Sequence, residues 1–362
     1  MAELKPFRAL RYETAQAGPL DDLVAPPYDV IGPEERLRLR ERSPYNVVRL
    51  TLPDSPKEAA SSLRDWEASG VLARENRPVA WALRQTYVGP DGVARTRTGL
   101  VASLRVEPYE RGLVLPHERT HREPKEERLR LLRAVRTQLE PIFLLYDGEP
   151  PFEVPGGDPE LTAGGAELWR LDGAGIPETL ADRQLLIADG HHRYETALAF
   201  HQEEGTPESA FMLVVLVSTE DPGLTIFPTH RLFRSSPPQS ALQGRRERIS
   251  DPKEALRELS TLPPGRAAVV RYEGGETELV LDGDGELDVH LVDRLGHEGI
   301  SYTPHADQAV AAVDSGEAAA AFLLRPTRIE DVFAAARRGE VLPQKTTYFY
   351  PKLVSGLLFH PL

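Results

Sequence analysis

The chain has 362 residues, 40% of them apolar, with no cysteine and a formal net charge of −13. That length suits one large or two to three ordinary domains with a sizeable core, while the missing cysteine excludes disulfides, thiolate metal sites and a cysteine nucleophile. The charge disfavours nucleic acid as a partner, since such binders gain affinity by neutralising phosphates. No apolar run approaches the ~18 residues of a membrane span, and the opening segment Met1–Phe7 lacks the basic and apolar regions of a signal peptide. A cytoplasmic location is therefore expected.

In chain order, Val24-Ala25-Pro26-Pro27-Tyr28-Asp29-Val30-Ile31 is extended by its two prolines. Gly32-Pro33-Glu34-Glu35 reads as a helix start. Tyr45 to Leu52 reads as a strand, and Lys57 to Gly70 as a helix ending on glycine. Val79–Val88 and Thr96–Val106 form a hairpin around Pro90-Asp91-Gly92. A charged stretch, His117 to Arg130, continues into an Arg/Leu-rich helix. Pro141–Tyr146 is a strand, and residues 147–165 are the best loop or boundary. Phe211–Ser218 and Leu224–Leu232 read as two further strands, Ser235–Arg245 as a loop, and the rest alternates helices and strands.

The richest segment is Leu185-Leu186-Ile187-Ala188-Asp189-Gly190-His191-His192-Arg193-Tyr194 and onward to Leu198. An apolar run predicts a buried strand, Gly190 a tight turn, and the following residues a helix. The first N–H groups of a helix have no partner inside it, so this element is an anion cradle. His191, His192 and Arg193 add donors and positive charge, and Asp189 is a carboxylate to hold Mg²⁺ or orient a histidine. An ordinary turn with a solvated helix face is the plain alternative.

His117-Glu118-Arg119-Thr120-His121 matches the H-E-x-x-H zinc pattern. That chemistry needs both histidines one turn apart on a stable helix, whereas Pro124 and the charged flanks oppose such a helix. The better reading is an ordered polar loop with Glu118 as a base and Thr120, Lys125 or Arg128 as ligand contacts; a solvated loop is the other. Lys345-Thr346-Thr347 near the C-terminus offers a further phosphate or carboxylate contact, or else a packed strand with exposed lysines. P-loop, G-x-G-x-x-G and G-x-S-x-G elements are absent from the sequence.

Pro26–Ile31, Pro116-His117-Glu118 with Thr120, Ala188–Leu198 and Lys345–Lys352 together resemble a bacterial and archaeal family known as domain of unknown function number one thousand and fifteen. In that family's pattern His117, Glu118 and Thr120 recur, but His121 is not a motif position. More distantly, Asp189 to Arg193 resembles the nucleotide-binding element of the ParB/sulfiredoxin superfamily, which includes free-serine kinases. That resemblance implies that this loop binds nucleotide phosphates and that an upstream glutamate is the base. It does not extend to sulfiredoxin repair chemistry, which needs a cysteine here.

These readings predict an α+β fold of mixed sheets and helices with a ParB/sulfiredoxin-like nucleotide-binding core. Three regions are expected: 1–150 supplying the 117–128 loop, 151–235 holding the phosphate loop, and 236–362. The expected activity is a nucleotide-dependent phosphotransferase acting on a small-molecule hydroxyl, such as that of free serine, with ATP or ADP and Mg²⁺. Catalysis falls to Glu118, Asp189 and His191; phosphate binding to Gly190, His191, His192, Arg193, Lys345 and Thr346; substrate binding to His117, Thr120 and Asp29; and metal binding to Asp189. A non-catalytic nucleotide-binding regulator and a ParB-like DNA-binding or nuclease protein are the alternatives.

Overall fold

The computed structural model describes all residues except 172–175, 177, 239–241, 243 and 285–286. The fold is α+β, with strands and helices intermixed along the chain. It divides into two compact units: residues 1–87, 94–224 and 351–362 form the first, and 88–93 with 225–350 the second.

The first unit is built on a nine-stranded mixed sheet. Its strands are β1 (Leu4–Lys5), β2 (Trp81–Val88), β3 (Ala94–Arg105), β4 (Val114–Leu115), β5 (Ile142–Tyr146), β6 (Leu161–Ala163), β7 (Ala166–Arg170), β8 (Leu185–Asp189) and β9 (Phe211–Ser218). They run in the order β4-β8-β5-β9-β3-β2-β7-β6, with β1 paired to β3. Every residue of β5 and β9 is buried, as expected of central strands covered on both faces. β8 lies antiparallel to β5 and carries a bulge between Ile187 and Asp189. A bulge bends its strand and re-aims the following side chain, here Asp189.

Helices α1 (Pro33–Arg42), α2 (Pro56–Ala68), α3 (Arg122–Val135) and α4 (His191–Glu204) belong to this unit. Ser55 caps α2 through the Glu58 N–H at 3.2 Å, and Gly70 follows it with a positive φ. Pro124 does not break α3, because it falls in the first turn, where a missing N–H costs nothing. Tyr194, Ala197 and Phe200 bury one face of α4.

Two expectations fail locally. Tyr45–Leu52 is not a strand: Val48–Thr51 is a single helical turn. Buried Asn46 sets it, accepting from the Val48 N–H at 3.0 Å while its amide donates to the Asp22 and Val24 carbonyls. Leu224–Leu232 is not one strand, because Pro228 lacks an N–H for the ladder and splits it into β10 (Thr225–Phe227) and β11 (His230–Phe233), which join different sheets.

The second unit adds β12 (Arg245–Ile249), β13 (Arg266–Glu273), β14 (Glu276–Asp284), β15 (Ile300–Thr303), β16 (Ala320–Leu323) and β17 (Tyr348–Tyr350). β10 pairs with β17, and the main sheet is antiparallel in the order β12-β14-β13-β16-β11-β15. Along β13, Ala267 and Val269 join one core cluster and Ala268 and Val270 the other, so both faces are covered. Part of the expected 235–245 loop lies outside the described residues.

The boundaries expected at 150/151 and 235/236 do not match this division. Strands on both sides of residue 150, β5 and β8, are hydrogen-bonded neighbours in one sheet, and the last twelve residues return to the first unit. No helix among the described residues is long and apolar enough to cross a membrane.

Candidate functional site

β8 ends at Asp189, and Gly190 turns the chain into α4 with φ 102°. A Cβ on Gly190 would sit 2.6 Å from Ile142 Cγ2, so only glycine makes this turn. The strand, turn and helix expected over 185–198 are all present.

Asp189 is the electrostatic centre. Its Oδ2 accepts from Arg193 Nη2 at 2.6 Å and its Oδ1 from Lys352 Nζ. Burial opposes its ionisation, but the Lys352 and Arg193 cations prevail and hold its pKa down to about 2. Burial likewise opposes the charge on Lys352, which Asp189 and Asp29 restore and push up. Arg193 is raised in the same way, with Asp189, Glu140 and Asp29 outweighing burial, and its Nη1 donates to the Pro141 carbonyl. Two cations thus share one directly bonded carboxylate, beside a helix N-terminus that favours negative charge. Glu140, whose pKa burial raises, accepts instead from the Tyr28 N–H at 3.0 Å and Ser355 Oγ at 2.9 Å.

The 117–121 loop packs on the start of α4. The His117 N–H donates to His191 Nε2 at 3.2 Å, and the His121 N–H to His192 Nε2 at 2.9 Å. The His117 and His191 rings meet edge to face at 4.8 Å, and the His121 and His192 rings stack at 6.2 Å. Burial pushes His117 down to about 4, and burial together with His117 pushes His191 well below the usual histidine range. His192 is lowered by partial burial and by His121, against the pull of Glu195, Glu118 and Asp29. Glu118 is 29% exposed and lies 4.0 Å from His117 Nε2.

Several expected ligand contacts have internal partners. Thr120 Oγ1 and Lys125 Nζ both donate to Glu195 Oε2, at 2.8 and 3.1 Å. Arg128 donates to the Thr51 carbonyl at 2.6 Å and lies over the Tyr28 ring. Asp29 sits in a one-turn 3-10 helix over Tyr28–Val30, within electrostatic reach of His192, Lys352 and Arg193. Asp189 does not fit the metal role expected of it, because both its oxygens are already held by cations that would repel a divalent ion.

The H-E-x-x-H segment is not helical: His121 is the N-cap of α3 and His117 precedes the helix. The two histidines therefore lack the one-turn spacing that the zinc pattern requires. Among the described residues no group of three or more His, Asp or Glu is placed to hold a metal. Lys345 and Thr346 belong to the second unit. There Lys345 has a positive φ and its carbonyl accepts from Arg231 at 3.1 Å, while Thr346 Oγ1 donates to the Pro343 carbonyl at 2.6 Å.

Sequence reasoning missed Lys352 and Glu195 as site residues. Lys352 stands beside three aromatics in a segment that reads equally well as packing, and Glu195 reads as an ordinary helix-surface acid.

The fold and the site define an α+β protein in which a helix N-terminus, the Lys352 and Arg193 cations and a polar loop are gathered at one strand end. The model of the family described as protein of unknown function (DUF1015) matches residues 4–250, and the chain belongs to that family. No curated protein matches it. Among solved structures, free serine kinase in complex with AMP is 17% identical with a TM-score of 0.41, covering 68% of this chain and 89% of that one. A conserved hypothetical protein from Pyrococcus furiosus is 18% identical with a TM-score of 0.37, over 66% and 87%. C-terminally truncated SbnI from Staphylococcus aureus is 12% identical with a TM-score of 0.42, over 70% and 84%. Likeness at this level assigns neither activity nor ligand.

Proposed function

We propose that the protein is a nucleotide-dependent phosphotransferase acting on the hydroxyl of a small metabolite, with free serine or a similar hydroxy amino acid as the first acceptor to try. One observation carries this reading: an α4 N-terminus beside two cations that bond one carboxylate, joined by hydrogen bonds to the loop that holds Glu118. Phosphoryl transfer asks mainly for positioning and charge stabilisation. The N–H groups of the first α4 turn and Lys352 supply the positive field for ADP or ATP phosphates. Glu118 takes the acceptor proton as the hydroxyl oxygen forms its bond to the terminal phosphorus and the bond to the nucleotide oxygen breaks. Asp29 is the carboxylate available for an acceptor ammonium. Magnesium would arrive on the nucleotide phosphates, and no step is assigned to it at Asp189. The resemblance of Asp189–Arg193 to the free-serine kinase loop supports the same reading.

Calorimetric titration with ADP and ATP in Mg²⁺ tests the first half. ³¹P NMR of mixtures with hydroxy amino acids, reading a new phosphomonoester, tests the second. Glu118→Gln is expected to lower transfer by about 10²–10⁴-fold while nucleotide affinity is kept. Binding without any transfer in the unaltered protein would leave the regulatory reading in its place; full turnover by Glu118→Gln would remove this base.

A further inference from the structure

We infer that His191 and His192 are positioning residues: through their Nε2 atoms they clamp the backbone of the 117–121 loop and so place Glu118, and those atoms are not phosphate donors. The catalytic consequence rests on the phosphotransferase reading; the clamp itself does not.

The hydrogen bonds carry the argument. Consecutive side chains on a helix diverge by about 100°, so His191 and His192 reach apart and take the two ends of one five-residue loop. His191 Nε2 receives the His117 N–H at 3.2 Å, and His192 Nε2 receives the His121 N–H at 2.9 Å. Glu118 lies between those two fixed points. An imidazole that accepts at Nε2 is neutral and carries its proton on Nδ1. The same atom cannot also donate to a phosphate, so the two roles exclude each other at Nε2.

Burial points the same way. His191 is 6% exposed and His117 fully buried, which keeps an uncharged ring in place. The edge-to-face contact of these two rings fixes the plane in which His191 accepts. A third tie, Thr120 Oγ1 to Glu195 one turn further along α4, holds the loop between the clamped ends. Positive charge for an anion is supplied separately by Lys352.

The test uses the full chain with His191→Leu, His192→Leu and, as the rescue, His192→Gln, whose amide oxygen accepts near the Nε2 position. Site-resolved amide hydrogen exchange reads the clamp directly. Exchange is expected to rise about tenfold at His117 in His191→Leu and at His121 in His192→Leu, as losing one hydrogen bond implies. His192→Gln should restore protection at His121. ADP affinity should stay within about twofold, whereas kcat for transfer falls about 100-fold, the scale of a misplaced catalytic group. Unchanged exchange at His121 in His192→Leu overturns the clamp, as does a tenfold loss of ADP affinity with protection intact. If the buried His191→Leu protein does not fold, the half-buried position 192 decides alone. If no phosphoryl transfer is found in the unaltered protein, the exchange result still stands or fails by itself.

Discussion

Each unit holds a largely shielded aspartate bonded to an arginine, and the two arrangements differ in kind. In the second unit, Asp288 at the start of the Asp288–Asp293 helix takes a two-pronged bond from Arg325, Nε to Oδ2 at 2.8 Å and Nη2 to Oδ1 at 2.6 Å. Its Oδ1 also accepts the Ala268 N–H, and Arg325 Nη1 and Nη2 donate to the Leu262 and Arg266 carbonyls. One charge meets one charge, and the pair ties helix to sheet. In the first unit, Asp189 meets two cations at a helix N-terminus. A carboxylate held by one guanidinium and a backbone N–H serves architecture; one held by two cations beside a helix N-terminus lies where an anion is favoured.

Asp288→Ala should produce the largest change. It removes two charge-assisted bonds from the partly exposed Arg325 and strands the buried Ala268 N–H, at a cost of about 2–3 kcal/mol, read as a lower urea midpoint for the second unit, with ADP affinity unaltered. A changed affinity would break the contrast between the two pairs. Lys352→Met tests the other side. It removes one of the two cations on Asp189 and should weaken ADP binding by about 10–100-fold, the worth of one charge-assisted contact, while leaving Asp189 bonded to Arg193 and the protein folded.

Acid sharpens the comparison further. A buried histidine whose folded pKa is depressed binds its proton only after unfolding, so its contribution is intact above pH ~6.5, falls as pH drops through that value, and levels off near the folded pKa. The first unit holds His117 and His360, both pushed down to about 4 by burial, and His191, held well below the usual histidine range; the second holds His230, also at about 4. Between pH 6.5 and 4 the first unit should lose stability faster, seen as earlier loss of amide protection. Equal loss in both units would show that these imidazoles are not held neutral. The smallest effect is expected from Thr346→Ala, which removes the bond to the Pro343 carbonyl and should cost the second unit about 1 kcal/mol in thermal or urea unfolding.

By itself the sequence determined what short-range chemistry can encode. The apolar run into Asp189-Gly190 forced a buried strand, a left-handed turn and a helix, and Gly70 and Pro33 marked helix ends, because periodicity and backbone restriction act within a few residues. The polar loop around Glu118 was legible as a feature too rich for a linker. Only the tertiary structure decided what that loop touches and what neutralises Asp189. Lys352 reaches Asp189 from 163 residues away, and the 117–121 backbone meets His191 and His192 across more than 70. The same long-range packing made a helical turn of 48–51 and divided 225–233 between two sheets. Such pairings depend on strand order and on which buried polar groups find partners. Those are properties of the assembled sheet and not of any local run of residues.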